Sequence, residues 1–367
     1  MTTADKPIKL MLTGGGTGGH LFPAIAAAQE LCGRIPGSKV MFIGTRRKLD
    51  KTSLLEYGYE VKSILCFGLK GKNLLHLIKA VVALPLGFIQ AVIHILAFRP
   101  DIVVGVGGYV TGPVVAAARI CGKKTLIHEQ NSVPGLANRK LGGLVDRICI
   151  SLPQSAGYFP SEKTVITGNP VRKKLLELAA APERKCDPAK KTLLVLGGSL
   201  GAHRLNELVS EALCHHGVSQ PFQVIHQTGA ADCQIIRQKY TENLIDARVE
   251  PFFADMSEIY AAADLLVSRA GATTLAELAV LGKPAILVPY PHAADNHQQR
   301  NAEYYVEGGG CRSFAEKDLS GRMLAQQINE LLLDDDQRKI MAAHMKELAV
   351  PQAASNIVDV CLALISD

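Results

Sequence analysis

The sequence predicts an α/β protein built as two doubly wound parallel-sheet domains facing each other across a deep cleft. Three observations carry this. Short, apolar, β-branched runs alternate with helix-length stretches along the whole chain. At 367 residues the chain is too long for one ordinary core, and a hydrophobic content of 48% supplies two. The second half opens as the first does, with an apolar run, a glycine turn and a helical pattern.

Strands are expected at 8–12, 39–43, 61–65, 101–106, 124–128 and 146–151 in the first half. In the second half they are expected at 191–196, 222–227, 248–253, 264–267 and 285–289. The first helix is expected over 22–31. Segment 168–172 (GNPVR) punctuates the chain, and the Pro- and Lys-rich stretch 182–190 reads as a linker. Ligands of open α/β sheets sit at the carboxyl ends of strands, so chemistry is sought there.

Composition narrows the classes. A formal charge of +6 is modest for this length and does not by itself imply nucleic acid. An aromatic content of 5% disfavours a stacking platform for single strands. The nine cysteines form no CxxC pair and no zinc spacing, which reads as free thiols in a reducing cytoplasm. The start MTTADKPIKL lacks the pattern of a secretory signal.

The first strand ends in Gly14-Gly15-Gly16-Thr17-Gly18-Gly19-His20. A glycine loop at a helix start lets the backbone approach a ligand and offers N–H groups to negative oxygen. Phosphate cradles need no imidazole, so His20 adds a group able to take a proton near neutral pH. Gly14, Gly16 and Gly19 also satisfy a dinucleotide fingerprint. The second strand, however, is followed by Thr45-Arg46-Arg47 and not by the acid that holds a ribose diol; the arginines could suit a 2′-phosphate, but a dinucleotide site leaves His20 unexplained. No Gly-Lys-Ser/Thr follows either glycine loop, which excludes a P-loop.

A third loop, containing Gly105, Gly107, Gly108, Tyr109, Thr111 and Gly112, follows another strand. It is either a site of close strand–helix packing or a floor for an acceptor phosphate. His128-Glu129-Gln130-Asn131 ends the next strand; four polar side chains there are costly unless they meet one another or a ligand.

In the second half, Ser268-Arg269-Ala270-Gly271-Ala272-Thr273-Thr274 leads into a helix, with Glu277 one turn inside. Helix N–H groups suit a diphosphate, and a carboxylate can accept two hydrogen bonds from a sugar diol. Together they describe a nucleotide sugar or a nucleoside diphosphate, the plainer alternative being a glutamate that only caps the helix. His292, Asp295 and His297 invite a metal reading, but Asn296, Gln298 and Gln299 beside them suit sugar hydroxyls better.

Residues 69–98 are apolar, interrupted by Lys79, Pro85, Gln90 and His94, and too broken to span a bilayer. Two helices meeting near Pro85 are expected, with Lys70, Lys72 and Lys79 along one edge. The stretch is either buried under the first sheet or docked on an anionic membrane surface.

With no metal and no cofactor called for, a leaving diphosphate must be held by aimed N–H groups together with Arg172 or His203. A base facing the anomeric carbon activates the acceptor hydroxyl, and His20 is the first choice. One displacement inverts that carbon.

GGGTGGHLFPA, GVGGYVTGP, HEQNSVPGLANR, TGNPVR, GGSLGA, RAGATTLAEL and DNHQQRNA occur in this order. Together they resemble the undecaprenyl-diphospho-muramoylpentapeptide β-N-acetylglucosaminyltransferases, the MurG family of glycosyltransferase family 28. The resemblance runs over essentially the whole chain. It implies a GT-B fold of two Rossmann-like domains and an inverting transfer of N-acetylglucosamine. The donor is UDP-N-acetylglucosamine; the acceptor is the 4-hydroxyl of the muramoyl sugar of lipid I, and the product is lipid II. It also implies a peripheral position at the cytoplasmic face of the inner membrane.

On this resemblance, residues 1–168 form the acceptor and membrane domain and 169–348 the donor domain. Residues 349–367 form a helix, from about 350, that returns to the first. Donor contacts map to Thr17, Gly18, Gly19, Asn131, Arg172, Ser199, Phe253, Ala272, Thr273, Thr274, Glu277 and Gln298. His20 matches the proposed base, and Gly107, Gly108, Tyr109, Thr111, His128 and Glu129 are acceptor-side candidates. Thr273 stands where some relatives carry leucine, and His297 where some carry a second glutamine.

Overall fold

The structure, a computed structural model, describes residues 6–15, 18–45, 54–55, 57–67, 74–181, 190–198, 200–219 and 221–366, without the side chains of 74–82. Expectations for Gly16, Thr17, Arg46, Arg47, Lys70, Lys72, Ser199 and 182–189 lie outside the described residues, as does the Lys79 side chain. The chain divides into two compact units, 1–172 with 350–367, and 173–349.

Among the described residues, the first unit contains β1 (Lys9–Thr13), β2 (Lys39–Gly44), β3 (Glu60–Ser63), β4 (Ile102–Gly105), β5 (Lys124–Glu129), β6 (Arg147–Ile150) and β7 (Thr164–Ile166). All pair in parallel, in the order β3-β2-β1-β4-β5-β6-β7. The second unit contains β8 (Lys191–Leu196), β9 (Phe222–Gln227), β10 (Ala247–Glu250), β11 (Leu265–Ser268), β12 (Ala285–Leu287) and β13 (Cys311–Ser313). Its order is β10-β9-β8-β11-β12-β13, again all parallel.

Each sheet reverses its strand order once, between β1 and β4 and between β8 and β11. Loops diverge from such a switch point and leave a crevice at the strands' carboxyl ends. Helices cover both faces, so the central strands are buried throughout and read as unbroken apolar runs, as in Leu10-Met11-Leu12 and Leu193-Leu194-Val195. Each such leucine contributes roughly 1.5–3 kcal/mol by leaving water.

Three local outcomes differ from the sequence reading. The first helix spans Gly18–Arg34, four residues earlier than expected, so Gly18, Gly19 and His20 form its first turn. Residues Leu74–Phe98 form one helix that runs through Pro85. Leu84, Pro85 and Leu86 are exposed, and at an exposed stretch of helix a carbonyl that loses its partner to a proline can be satisfied by water. Two edge strands, β7 and β13, were not expected.

The helix Ala353–Ser366 belongs to the first unit. Its Ile357, Val358, Cys361 and Leu364 share a core with Leu21, Ile25 and Leu31 of the helix Gly18–Arg34. Arg34 Nη2 pairs with Asp359 Oδ1 at 2.7 Å, and Asn356 Nδ2 donates to Thr167 O at 3.1 Å.

Candidate functional site

In the first unit the β1/β4 switch point nests two glycine loops. A β-carbon on Gly108 would lie 2.7 Å from Gly15 O, and one on Gly14 would lie 2.3 Å from a Val106 methyl. Gly107, at φ +102°, lies so close to His20 that a β-carbon would stand 3.0 Å from its Cε1. The backbone of one loop thus forms a wall for the imidazole of the other. Gly18 packs against Phe22, and the Arg172 guanidinium lies 4.8 Å from the Phe22 ring centroid. That contact holds a cation beside the start of the helix Gly18–Arg34, where an anion is favoured.

Beneath the loops lies a buried polar layer. Thr111 is fully buried, and its hydroxyl donates to Gly107 O at 2.7 Å. Tyr109 O accepts from the Cys66 thiol at 3.4 Å. Glu129 Oε1 accepts from Asn131 N (2.9 Å) and Asn131 Nδ2 (3.2 Å). Its Oε2 accepts from Gly135 N (3.1 Å) and Asn138 Nδ2 (2.9 Å). His128 Nε2 lies 3.1 Å from Gly168 O, and burial pushes its pKa down to about 4. Thr111, His128 and Glu129 therefore point inward and brace the loops rather than line them. Of the polar quartet 128–131 at the end of β5, Asn131 is the one that reaches the surface.

Gln130, also buried, joins this layer to His20. Its Oε1 lies 2.9 Å from His20 Nδ1, and its Nε2 donates to Val106 O at 3.0 Å.

In the second unit the helix Ala272–Leu281 starts directly after β11, and its N-cap Gly271 brings no side-chain cap. First-turn N–H groups point outward along a helix axis, which makes this end attractive to anions. Ala272 and Thr273 are buried and Thr274 is half-buried. Glu277 lies one turn inside, 4% exposed, and its Oε2 accepts from the Tyr260 hydroxyl at 2.9 Å. Tyr260, a helical aromatic seventeen residues away, has no local pattern that marks it as this partner.

Gln298 sits in the first turn of the helix His297–Glu307. Its Oε1 accepts from Ala270 N (3.2 Å) and Tyr290 N (2.9 Å), so the amide nitrogen is the end turned away from the backbone. Just before it, Asp295 and Asn296 both adopt positive φ, 53° and 54°. Such strain in non-glycine residues collects at functional sites. Arg269 braces the same strand ends, donating to Val288 O at 3.0 Å and pairing with Glu316.

Phe253 is buried, and its N donates to Gln227 Oε1 at 3.0 Å, while Gln227 Nε2 donates to Gly198 O at 3.0 Å. One glutamine, missed in the sequence, thereby ties the glycine turn after β8 to the loop after β10. His203 Nδ1 lies 2.9 Å from Asp232 Oδ1, and that hydrogen bond raises the imidazole's pKa. Among the described residues, no three His, Cys, Asp or Glu side chains gather as a metal site.

Comparison with known proteins divides the chain in nearly the same place, although the second match runs on into the helix Ala353–Ser366 of the first unit. The glycosyltransferase family 28 N-terminal domain matches residues 10–150, and the family's C-terminal domain matches 192–357. A protein of Desulfotalea psychrophila is 55% identical over 98% of this chain and 97% of its own length. It is named UDP-N-acetylglucosamine--N-acetylmuramyl-(pentapeptide) pyrophosphoryl-undecaprenol N-acetylglucosamine transferase. A Myxococcus xanthus protein of the same name is 42% identical over 97% of this chain and 93% of its own. The crystal structure of Acinetobacter baumannii MurG is similar at a TM-score of 0.77 and 30% identity, covering 96% of this chain and 99% of that one. With both halves of the family matched in order and 55% identity to a relative over nearly the whole length of each chain, the chain belongs to the MurG family of glycosyltransferase family 28.

Proposed function

We propose that this protein transfers N-acetylglucosamine from UDP-N-acetylglucosamine to the 4-hydroxyl of the muramoyl sugar of lipid I, inverting the anomeric carbon and giving lipid II. The observation that carries the proposal is 55% identity over 98% of the chain to a transferase named for this reaction.

The second unit supplies the main donor contacts, and the first supplies the base, the acceptor side and further donor contacts. In the second, the start of the helix Ala272–Leu281 takes the diphosphate, and Glu277 accepts from the ribose diol. Gln298 donates its amide hydrogens to sugar hydroxyls. Thr17, Gly18, Gly19, Asn131, Arg172, Ser199 and Phe253 are proposed as further donor contacts. In the first unit, His20 accepts the proton of the attacking hydroxyl, and Gly107, Gly108 and Tyr109 line the acceptor side. The acceptor oxygen bonds to the anomeric carbon as the bond from that carbon to the diphosphate oxygen breaks. UDP leaves with the electron pair, and the proton stays on the imidazole. A placed general base contributes about 10²- to 10⁴-fold.

The first unit also carries the proposed membrane contact, at the cytoplasmic face of the inner membrane. Along the helix Leu74–Phe98, Leu86, Ile89, Ile93 and Leu96 recur on one face and are each half or more exposed. Ala91 and Ile95 face the core at 0% exposure. No helix among the described residues is long and apolar enough to cross a membrane. An exposed apolar stripe on a helix of this kind suits insertion into the headgroup region of an anionic bilayer.

Purified protein supplied with UDP-N-acetylglucosamine and a lipid I analogue tests the assignment. The expected result is stoichiometric UDP release and a β-linked disaccharide lipid. Transfer to soluble acceptors alone, or conversion of the donor to its manno epimer without acceptor, would overturn it.

A further inference from the structure

We propose that Gln130 is a positioning residue that holds His20 as the Nδ1–H tautomer and so leaves Nε2 as the atom that receives the acceptor's proton. The inference deepens the proposed role of His20 as base and rests on it.

The geometry settles each hydrogen in turn. Gln130 Nε2 lies 3.0 Å from Val106 O and 3.4 Å from His128 O. Carbonyl oxygens only accept, so that end of the side chain is the NH₂ group. The other end, Oε1, can only accept, and it lies 2.9 Å from His20 Nδ1. Nδ1 therefore carries the hydrogen. In a neutral imidazole the other nitrogen, Nε2, then holds the lone pair.

The layer below fixes the amide against turning over. Gln130 is 2% exposed, and its Nε2 also meets His128 Nδ1 at 3.1 Å. His128 Nε2 faces the Gly168 carbonyl at 3.1 Å, so it bears the hydrogen and Nδ1 accepts. Burial keeps His128 neutral at physiological pH, with a pKa of about 4. From Gly168 O through His128 and Gln130 to His20, donors and acceptors alternate without a conflict. A flipped amide would face two carbonyls with oxygen and His20 Nδ1 with hydrogens.

An amide performs this task without adding charge. A carboxylate at the same place would accept from Nδ1–H but bring unprotonated oxygen against Val106 O and His128 O. The logic is that of a residue that selects a tautomer and does not touch substrate.

The test combines nitrogen NMR with kinetics. In ¹⁵N-histidine-labelled wild-type protein at pH 8, the His20 signals, identified by their loss in His20→Gln, should show a protonated Nδ1 and an unprotonated Nε2. In Gln130→Met the population should move toward Nε2–H. Turnover should fall about 10- to 100-fold, with the KM for UDP-N-acetylglucosamine within about threefold of wild type. Gln130→Glu, whose buried carboxyl in its protonated form donates to Val106 O and still accepts from Nδ1–H, should recover part of that loss. A wild-type spectrum with Nε2–H would overturn the inference without any variant having to fold. So would wild-type turnover in Gln130→Met where His20→Gln is inactive. Near-wild-type turnover in His20→Gln, beside an Nδ1–H spectrum, would instead remove the base role and leave the tautomer assignment standing.

Discussion

The imidazole of His20 rests on the backbone of Gly107, so closely that a β-carbon there would come within 3.0–3.1 Å of two ring atoms. Gly107 also holds φ at +102°, where an L side chain is strained. Gly107→Ala should therefore displace the ring and lower kcat at least about tenfold, while donor KM changes little. Steady-state kinetics with both substrates varied checks this; unchanged kcat would show that the ring's seat does not matter.

His20→Ala should lower kcat by about 10²- to 10⁴-fold, the range of a general base. Donor affinity, measured by calorimetry with UDP-N-acetylglucosamine, should stay within a few-fold of wild type. A loss of donor binding in place of turnover would assign His20 to the donor.

Glu277→Gln removes the charged acceptor proposed for the ribose diol. Hydrogen bonds to charged groups contribute about 1.5–3 kcal/mol, so donor KM should rise about 10- to 100-fold. Tyr260→Phe removes only the hydroxyl that orients the carboxylate and should have a smaller effect of the same kind. Donor KM equal to wild type in Glu277→Gln would refute the assignment.

Ile89→Glu with Ile93→Glu should weaken sedimentation with anionic phospholipid vesicles at least about tenfold. Both side chains are more than half exposed, so the melting temperature should hold. Transfer to a water-soluble lipid I analogue should continue. Undiminished vesicle binding would place the membrane contact elsewhere.

Stability should fall with acid for a reason visible at His128. Its pKa is about 4 in the folded protein because burial disfavours the charged form, against about 6.5 in an unfolded chain. Between those values the unfolded state binds a proton that the native state does not. The contribution is thus complete above about pH 6.5 and is lost as pH falls toward 4, on the order of 3 kcal/mol. Buried His226, lowered to about 3, acts with the same sign. Urea midpoints between pH 8 and 4.5 should decline, and less steeply in His128→Gln.

The central strands were legible because a strand covered on both faces must be apolar along its buried run, as in Ile102-Val103-Val104 of β4 and Leu193-Leu194-Val195-Leu196 of β8. Edge strands escape that rule. Ile166 of β7 is 57% exposed and β13 reads Cys-Arg-Ser, so neither stands out from a loop. Pro85 misled because its cost depends on what surrounds it, and on an exposed helix face water takes the orphaned carbonyl.

In the candidate site, close backbone packing was legible where glycine is diagnostic, as at Gly14 and at Gly107, which packs against His20. Direction was not legible. Nothing in His128-Glu129-Gln130 says that these side chains turn beneath the loop, because their partners Gly168, Asn138 and Val106 come from elsewhere in the chain. Tyr260 and Gln227 were missed for the same reason: a hydrogen bond across the fold leaves no local pattern.

The return of Ala353–Ser366 to the helix Gly18–Arg34 has a bearing on how the chain matures as it leaves the ribosome. The unit 173–349 is continuous and can close as soon as it emerges, whereas the earlier-made unit waits for the last helix to seal Leu21, Ile25 and Leu31. Synthesis order and completion order are thus reversed, and the imidazole-bearing helix is the one left uncovered longest. Chaperone capture and nascent-chain proteolysis should accordingly concentrate on the half that was translated first.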